Sequence, residues 1–270
     1  MSRIAATFAS LRAQSRRALI PFLMAGDPSL DATVSFLRGF AGSGADLLEI
    51  GVPFSDPIAD GPVNQRAAQR ALAQRVTLWD VLDLVADLRP HVAQPVVLLS
   101  YYNPILQFGL EAFCRRAACA GVDGVVVPDL PPEEGGPLGA AAGPHGLDTI
   151  FLAAPTSTDE RLARVAAASR GFIYCVSLTG VTGVRTDLAE DVGTLVARLR
   201  RHTPLPICVG FGVSTPDHAR QVASVADGVI VGSAIVSIIE REGVAAGPAL
   251  AAFVRSLREG ADAAVGAAAP

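Results

Sequence analysis

The chain has 270 residues, half of them hydrophobic and few of them aromatic, with a formal charge of −4. Its basic residues are scattered rather than clustered, which leaves no electrostatic footprint for nucleic acid or an anionic membrane and points to an α/β protein acting on a small molecule. Four cysteines without a CxxC pair, with only four histidines, suggest neither a disulfide framework nor a zinc site and are read as buried free thiols of a cytoplasmic protein.

At the N-terminus, Arg3, Arg12, Arg16 and Arg17 precede an apolar stretch, residues 18–25, that Pro21 interrupts. It is too short to span a bilayer and reads as a first strand, 19–25. Val34, Leu37, Phe40 and Ala41 follow at helical spacing, then a strand-like run at 46–51. Leu78, Val81, Leu82, Val85 and Leu88 mark another amphipathic helix. Further Val-, Ile- and Leu-rich runs fall at 96–101, 124–128, 149–153, 172–177, 207–210 and 228–231. Residues 228–239 are also too short and polar for a membrane helix. Residues 131–146 read as a loop and an Ala-rich helix, no linker divides the chain, and the Ala-rich end, 260–270, is expected to fray. Eight strand–helix alternations predict a (β/α)8 TIM barrel, one domain over 1–270. An open dinucleotide-binding sheet is disfavoured, because the first turn reads Ala25-Gly26-Asp27-Pro28 and lacks GxGxxG.

In such a barrel the chemistry belongs at the C-terminal ends of the strands. The alternation of the second run puts Leu47, Glu49 and Gly51 on one face and Leu48 and Ile50 on the other, which aims Glu49 into the barrel. Burial would raise its pKa toward neutrality, as suits a group that gives and takes a proton. The structural alternative, a Glu held by a buried cation, finds no basic residue on any of the eight runs. On the following loop Asp56 is read first as a turn former, and for Asp60 a turn and a substrate-binding role both stay open.

Residues 178–184 form a Gly-rich loop long enough for a lid, or a plain connection. Gly210 to Ser214 and Gly232 to Ala234 each lead into a helix, where Gly lets backbone amides approach an anion, so the two loops predict a phosphate cradle. His91, His145, His202 and His218 fall in or beside helices and away from strand ends, which disfavours a metal-dependent aldolase. The chain contains no Lys, which excludes a Schiff-base aldolase.

Residues 49–62 read Glu-Ile-Gly-Val-Pro-Phe-Ser-Asp-Pro-Ile-Ala-Asp-Gly-Pro, and this run resembles the signature of the tryptophan synthase α-subunit family. The resemblance covers almost the whole chain. It includes Pro21-Phe22, Ala25 to Pro28, Tyr101 to Pro104, Val127 to Pro131, Gly180 to Gly183, Gly210 to Ser214 and Gly232 to Ala234.

It implies retro-aldol cleavage of indole-3-glycerol phosphate to indole and glyceraldehyde 3-phosphate, with Glu49 as general acid/base and Asp60 as acceptor for the indole N–H. It also implies Tyr174 near the glycerol chain, although a core Tyr is an equal reading. Thr182 matches a residue of the family's lid, Gly183, Gly212, Gly232 and Ser233 match its phosphate site, and Gly210 would shape the same loop. Phe22 and Leu99 would be walls for the indole ring or simply core. Leu178 stands where some relatives carry Arg. The family implies no cofactor in this subunit and a partner, the pyridoxal-phosphate-dependent β subunit of an α2β2 tetramer, near Asp56 and Tyr102-Asn103-Pro104. A stand-alone lyase releasing free indole, and a non-catalytic barrel that binds a sugar phosphate, are the alternatives.

Overall fold

The computed structural model describes residues 1–176, 188–210 and 212–266. Its strands are β1 (Ala18–Met24), β2 (Leu48–Gly51), β3 (Val96–Leu99), β4 (Gly124–Val126), β5 (Asp148–Ile150), β6 (Leu152–Ala153), β7 (Ile173–Val176), β8 (Ile207–Gly210) and β9 (Gly228–Val231). Its α-helices are α1 (Arg3–Ala13), α2 (Leu30–Gly42), α3 (Pro62–Ala73), α4 (Leu78–Leu88), α5 (Tyr102–Phe108), α6 (Leu110–Ala120), α7 (Gly136–Ala142), α8 (Asp159–Ala168), α9 (Leu188–Arg200), α10 (Pro216–Val225), α11 (Ser233–Glu242) and α12 (Gly247–Gly266).

Every strand pair is parallel, and the order β5-β4-β3-β2-β1-β9-β8-β7-β6 brings the ends of the list to two segments separated in the chain by Phe151 alone. The fifth predicted run is therefore one wall position whose ladder breaks at Phe151, and the sheet closes as a (β/α)8 barrel.

Leu19, Leu23, Leu48, Ile50, Leu98 and Val125 pack outward under the helices. Ala18, Ile20, Leu47, Val97, Val126, Ile150, Phe172, Cys208 and Ile230 fill the interior together with Ile4, Phe8 and Leu11 of α1. The N-terminal helix thus plugs the lower mouth, with Phe8 and Phe172 rings 5.9 Å apart. Each buried Val, Ile, Leu or Phe side chain among them contributes roughly 1.5–3 kcal/mol. Caps set the outer helices: Ser29, Thr158 and Thr215 each accept a backbone N–H of the first turn, and Thr77 with Asp80 forms a capping box on α4.

Three sequence expectations are corrected or refined. Cys114, Cys175 and Cys208 are buried but Cys119 is exposed, because five residues on from Cys114 turn it off the inward face of α6. The chain past residue 260 continues in α12 to Gly266, since Ala261 and Ala264 are buried and hold the last turns against the barrel. His218 lies in the first turn of α10, on the upper mouth, with Nδ1 3.3 Å from Ser214 Oγ. His91, His145 and His202 lie beyond the C-terminal ends of helices, on the lower side.

The single Trp, Trp79 on α4, is 57% exposed and stacks on Phe108 of α5 with ring centroids 4.0 Å apart. No helix among the described residues is long and apolar enough to cross a membrane.

Candidate active site

Glu49 is the middle of β2, paired in register with Phe22 on β1 and Val97 on β3. With Leu48 and Ile50 turned to the helices, its carboxylate enters the barrel and is 1% exposed. Burial pushes its pKa up to about 8; Tyr174 opposes the shift and the charge of Asp60 adds to it. The Tyr174 hydroxyl lies 3.5 Å from Oε2, a long contact, and Oε1 has no hydrogen-bond partner among the described residues. A carboxyl that is protonated near pH 7 with one oxygen free can hand a proton to a ligand.

Asp60 ends the loop that follows β2. Gly61 and Pro62 start α3 directly after it, Pro at the first helical position costing no hydrogen bond. Gln65 Nε2 holds the Asp60 backbone carbonyl at 2.8 Å, and the Tyr101 hydroxyl donates to Asp60 Oδ2 at 3.1 Å while accepting the Ala59 N–H at 2.9 Å. Burial raises the Asp60 pKa, and hydrogen bonds from Tyr101 and Asn64 pull it back. Tyr101 itself is 2% exposed and stacked on Phe54 at 5.2 Å. Sequence reading quoted Tyr101 only as part of a motif. Its partner lies 41 residues away in the chain, and no local pattern signals that contact.

Asp56 is exposed; its carboxylate accepts the neighbouring Ser55 hydroxyl at 2.5 Å and its backbone carbonyl the Ile58 N–H at 2.9 Å, as a turn residue does.

Above the carboxylates lies a cleft of about 480 Å³, lined by Asn64, Tyr174, Gly210, Gly212, Gly232 and Ser233 among others. That size suits a small phosphorylated ligand. Ser233 opens α11, whose first turn has no side-chain cap, so its backbone N–H groups remain for an anion. Gly212 has φ +54°, a left-handed conformation that favours Gly. Gly210 serves a different purpose, since a Cβ there would meet Tyr174 Cε1 at 3.0 Å and its hydroxyl at 3.1 Å. Glycine at 210 therefore lets the Tyr174 ring lie toward Glu49.

Phe22 is 3% exposed and lies over Gly51 and Gly232, while Leu99 is half-buried at the end of β3. Both belong to the barrel wall, Phe22 level with Glu49 and Leu99 level with Gly51. Thr182 and Gly183 lie outside the described residues.

An ionic chain ties this mouth together. Arg70 of α3 pairs bidentately with buried Asp27 at 2.8 Å and reaches Glu240 of α11 at 2.8 Å, and Arg66 of α3 pairs with both oxygens of Glu240 at 2.7 and 2.8 Å. The helix that follows Asp60 is thereby joined to the helix whose N-terminus faces the cleft. A wider groove of about 760 Å³, lined by Asp31, Arg38 and His91, lies outside the barrel wall against α2 and contains none of these groups.

A family model described as "Tryptophan synthase alpha chain" matches residues 8–264. The chain is 54% identical over 260 residues to the tryptophan synthase alpha chain of Geobacter sulfurreducens, covering 96% of this chain and 98% of that one. It is 52% identical to that of Roseiflexus castenholzii, covering 96% and 100%. Among solved structures it is similar to tryptophan synthase subunit alpha from Legionella pneumophila, with a TM-score of 0.91 at 39% identity, covering 97% and 99%. A tryptophan synthase structure from M. tuberculosis in an open form gives 0.88 at 40% identity, covering 97% and 99%.

Proposed function

The chain belongs to the tryptophan synthase alpha chain family, and from that premise we propose that Glu49 and Asp60 divide the work of its reaction, with the loops at Gly212 and Gly232 holding the phosphate. The reaction is a carbon–carbon lyase step, the cleavage of indole-3-glycerol phosphate to indole and glyceraldehyde 3-phosphate. The single observation that carries the assignment is a carboxyl 1% exposed, with a pKa raised to about 8, against Tyr174, which lines a phosphate-sized cleft.

Glu49, protonated at rest, donates its proton to the indole ring carbon that bears the glycerol chain. The ring nitrogen then carries positive charge, and Asp60, accepting the N–H, stabilises it. As the carbon–carbon bond breaks, its electron pair returns to the ring and neutralises that nitrogen. The adjacent chain hydroxyl loses its proton to the Glu49 carboxylate and becomes the aldehyde oxygen. Glu49 ends protonated, ready for the next cycle. Tyr101 holds Asp60 in place, and Tyr174 lies against Glu49 beside the chain. Backbone amides of Gly212, Gly232 and Ser233 and the N-terminus of α11 bind the phosphate. Thr182 and Gly183 complete this reading from the side of residues 177–187.

The partner in this reading is a β subunit carrying pyridoxal phosphate, in an α2β2 assembly in the cytoplasm, and this subunit itself needs no cofactor. Two exposed apolar side chains at the upper mouth support a docking face there: Ile58, 82% exposed on the Asp56 loop, and Leu106, 50% exposed on α5. The test is indole formation from indole-3-glycerol phosphate by the isolated chain, with and without added β subunit. Turnover that rises on addition supports the reading. Turnover unchanged by the β subunit marks a stand-alone lyase, and no indole in either arm overturns the assignment.

A further inference from the structure

Asn64 sits in the first turn of α3, four residues after Asp60, and lines the same cleft as Tyr174, Gly212, Gly232 and Ser233. Its amide has two ends with different surroundings. The nitrogen end serves the Asp60 carboxylate. The oxygen, Oδ1, is buried and has no hydrogen-bond partner among the described residues. Turning the amide over would set its oxygen against a carboxylate oxygen, two acceptors facing each other, so ionised Asp60 fixes the orientation. A buried carbonyl oxygen that the protein leaves unmatched is a place for a donor on the ligand.

The substrate supplies one donor that the reading above leaves unassigned. Its phosphate goes to the Gly212 and Gly232 loops, its ring N–H to Asp60, and the hydroxyl next to the ring to Glu49. The second glycerol hydroxyl, one carbon nearer the phosphate, keeps its proton throughout the reaction. It lies on the part of the substrate that crosses from Asp60 to the phosphate cradle, the span that Asn64 borders. We propose that the side-chain oxygen of Asn64 accepts a hydrogen bond from this second hydroxyl, which makes Asn64 a specificity-determining residue for the glycerol chain. The proposal rests on the functional reading above.

The test compares indole-3-glycerol phosphate with the analogue lacking only the second hydroxyl, in the full chain and in Asn64→Leu, with the β subunit present. Indole-3-propanol phosphate, which has neither hydroxyl, reports whether the cleft is intact. The unaltered chain is expected to prefer the natural substrate by about tenfold in kcat/KM, since a site built to bond a hydroxyl discriminates against its loss. Asn64→Leu is expected to abolish that preference: both substrates slow through the lost contact with Asp60, the natural one by about tenfold more, with indole-3-propanol phosphate still bound. Equal kcat/KM for the two substrates in the unaltered chain overturns the proposal without any variant. A preference that survives in Asn64→Leu, or in Asn64→Ala if the first variant does not fold, overturns it as well. No indole from either substrate in the unaltered chain is a different result and sinks the functional reading.

Discussion

Asp46, just before β2, and Glu49, within it, stand three residues apart, and burial raises the pKa of both. At the lower end Asp46 Oδ2 accepts the Leu19 N–H at 2.8 Å and the Arg258 guanidinium at 2.9 Å, and Arg258 continues to Asp262. Asp123 and Asp148 are likewise bonded there, to the Val96 N–H and the Ser2 hydroxyl. At the upper end, among the described residues, Glu49 has no cation favouring its charged form and one oxygen without a hydrogen-bond partner. The same chemical group is made structural by a full set of partners and reactive by withholding them. The barrel keeps its satisfied carboxylates under the α1 plug and its unsatisfied one in the cleft, which is the division of stability and chemistry expected between the two faces of this fold.

Glu49→Gln tests the contrast most severely. It removes the titrating group with little change of volume, and kcat for indole release is expected to fall by about 10²–10⁴-fold, with inorganic phosphate still competing for the cleft at a similar Kd. The same group sets the pH profile: kcat/KM should decline above pH about 8, where the proton to be donated is lost. Its effect on folding has a defined sign. A carboxyl with a higher pKa folded than unfolded stabilises most below the unfolded value, near 4.5, and that stability is lost as pH rises through about 8. Glu49→Gln should therefore raise Tm at pH 9, by roughly 5 °C, and leave it nearly unchanged at pH 4. A Tm difference independent of pH would remove the case for a buried, protonated Glu49.

Asp60→Asn is expected to cost about 10²-fold in kcat, because the developing ring charge loses its counter-charge. Single-turnover measurement of indole release distinguishes this from weaker binding. Asp46→Ala should do the reverse, sparing kcat while lowering stability by about 2 kcal/mol, roughly 4 °C in Tm, because it strands the buried Leu19 N–H and leaves Arg258 with Asp262 as its one carboxylate partner. If Asp46→Ala slows turnover more than it lowers Tm, the two ends are not separable as argued. Tyr101→Phe is the mildest change. It deletes one hydrogen bond to Asp60 and should lower kcat/KM by about five- to tenfold, with Tm nearly constant.

How much of this was legible depended on whether the determinant was local. The strand runs at 19–25 and 207–210 were readable because fully buried parallel strands are near-continuous apolar runs, and the inward aim of Glu49 followed from the alternation of 47–51. The break at Phe151 was not readable, since 149–153 is apolar throughout and the interruption comes from how the sheet closes. Asp60 was undecided from sequence because its meaning depends on Tyr101, brought from the far side of β3. Asn64 looked like any polar residue of a helix until the cleft placed it. Gly210, read from sequence as shaping the phosphate loop, lines the cleft and also makes room for Tyr174, a demand that no local pattern signals.

The pairing of Trp79 with Phe108 also gives the chain an optical property. The only native tryptophan stands on the outer wall beside α5, away from the cleft, so its emission is blind to small ligands and sensitive to whatever approaches that flank of the mouth. Fluorescence excited at the red edge of tryptophan absorption thus gives a label-free readout of that flank on the unmodified protein.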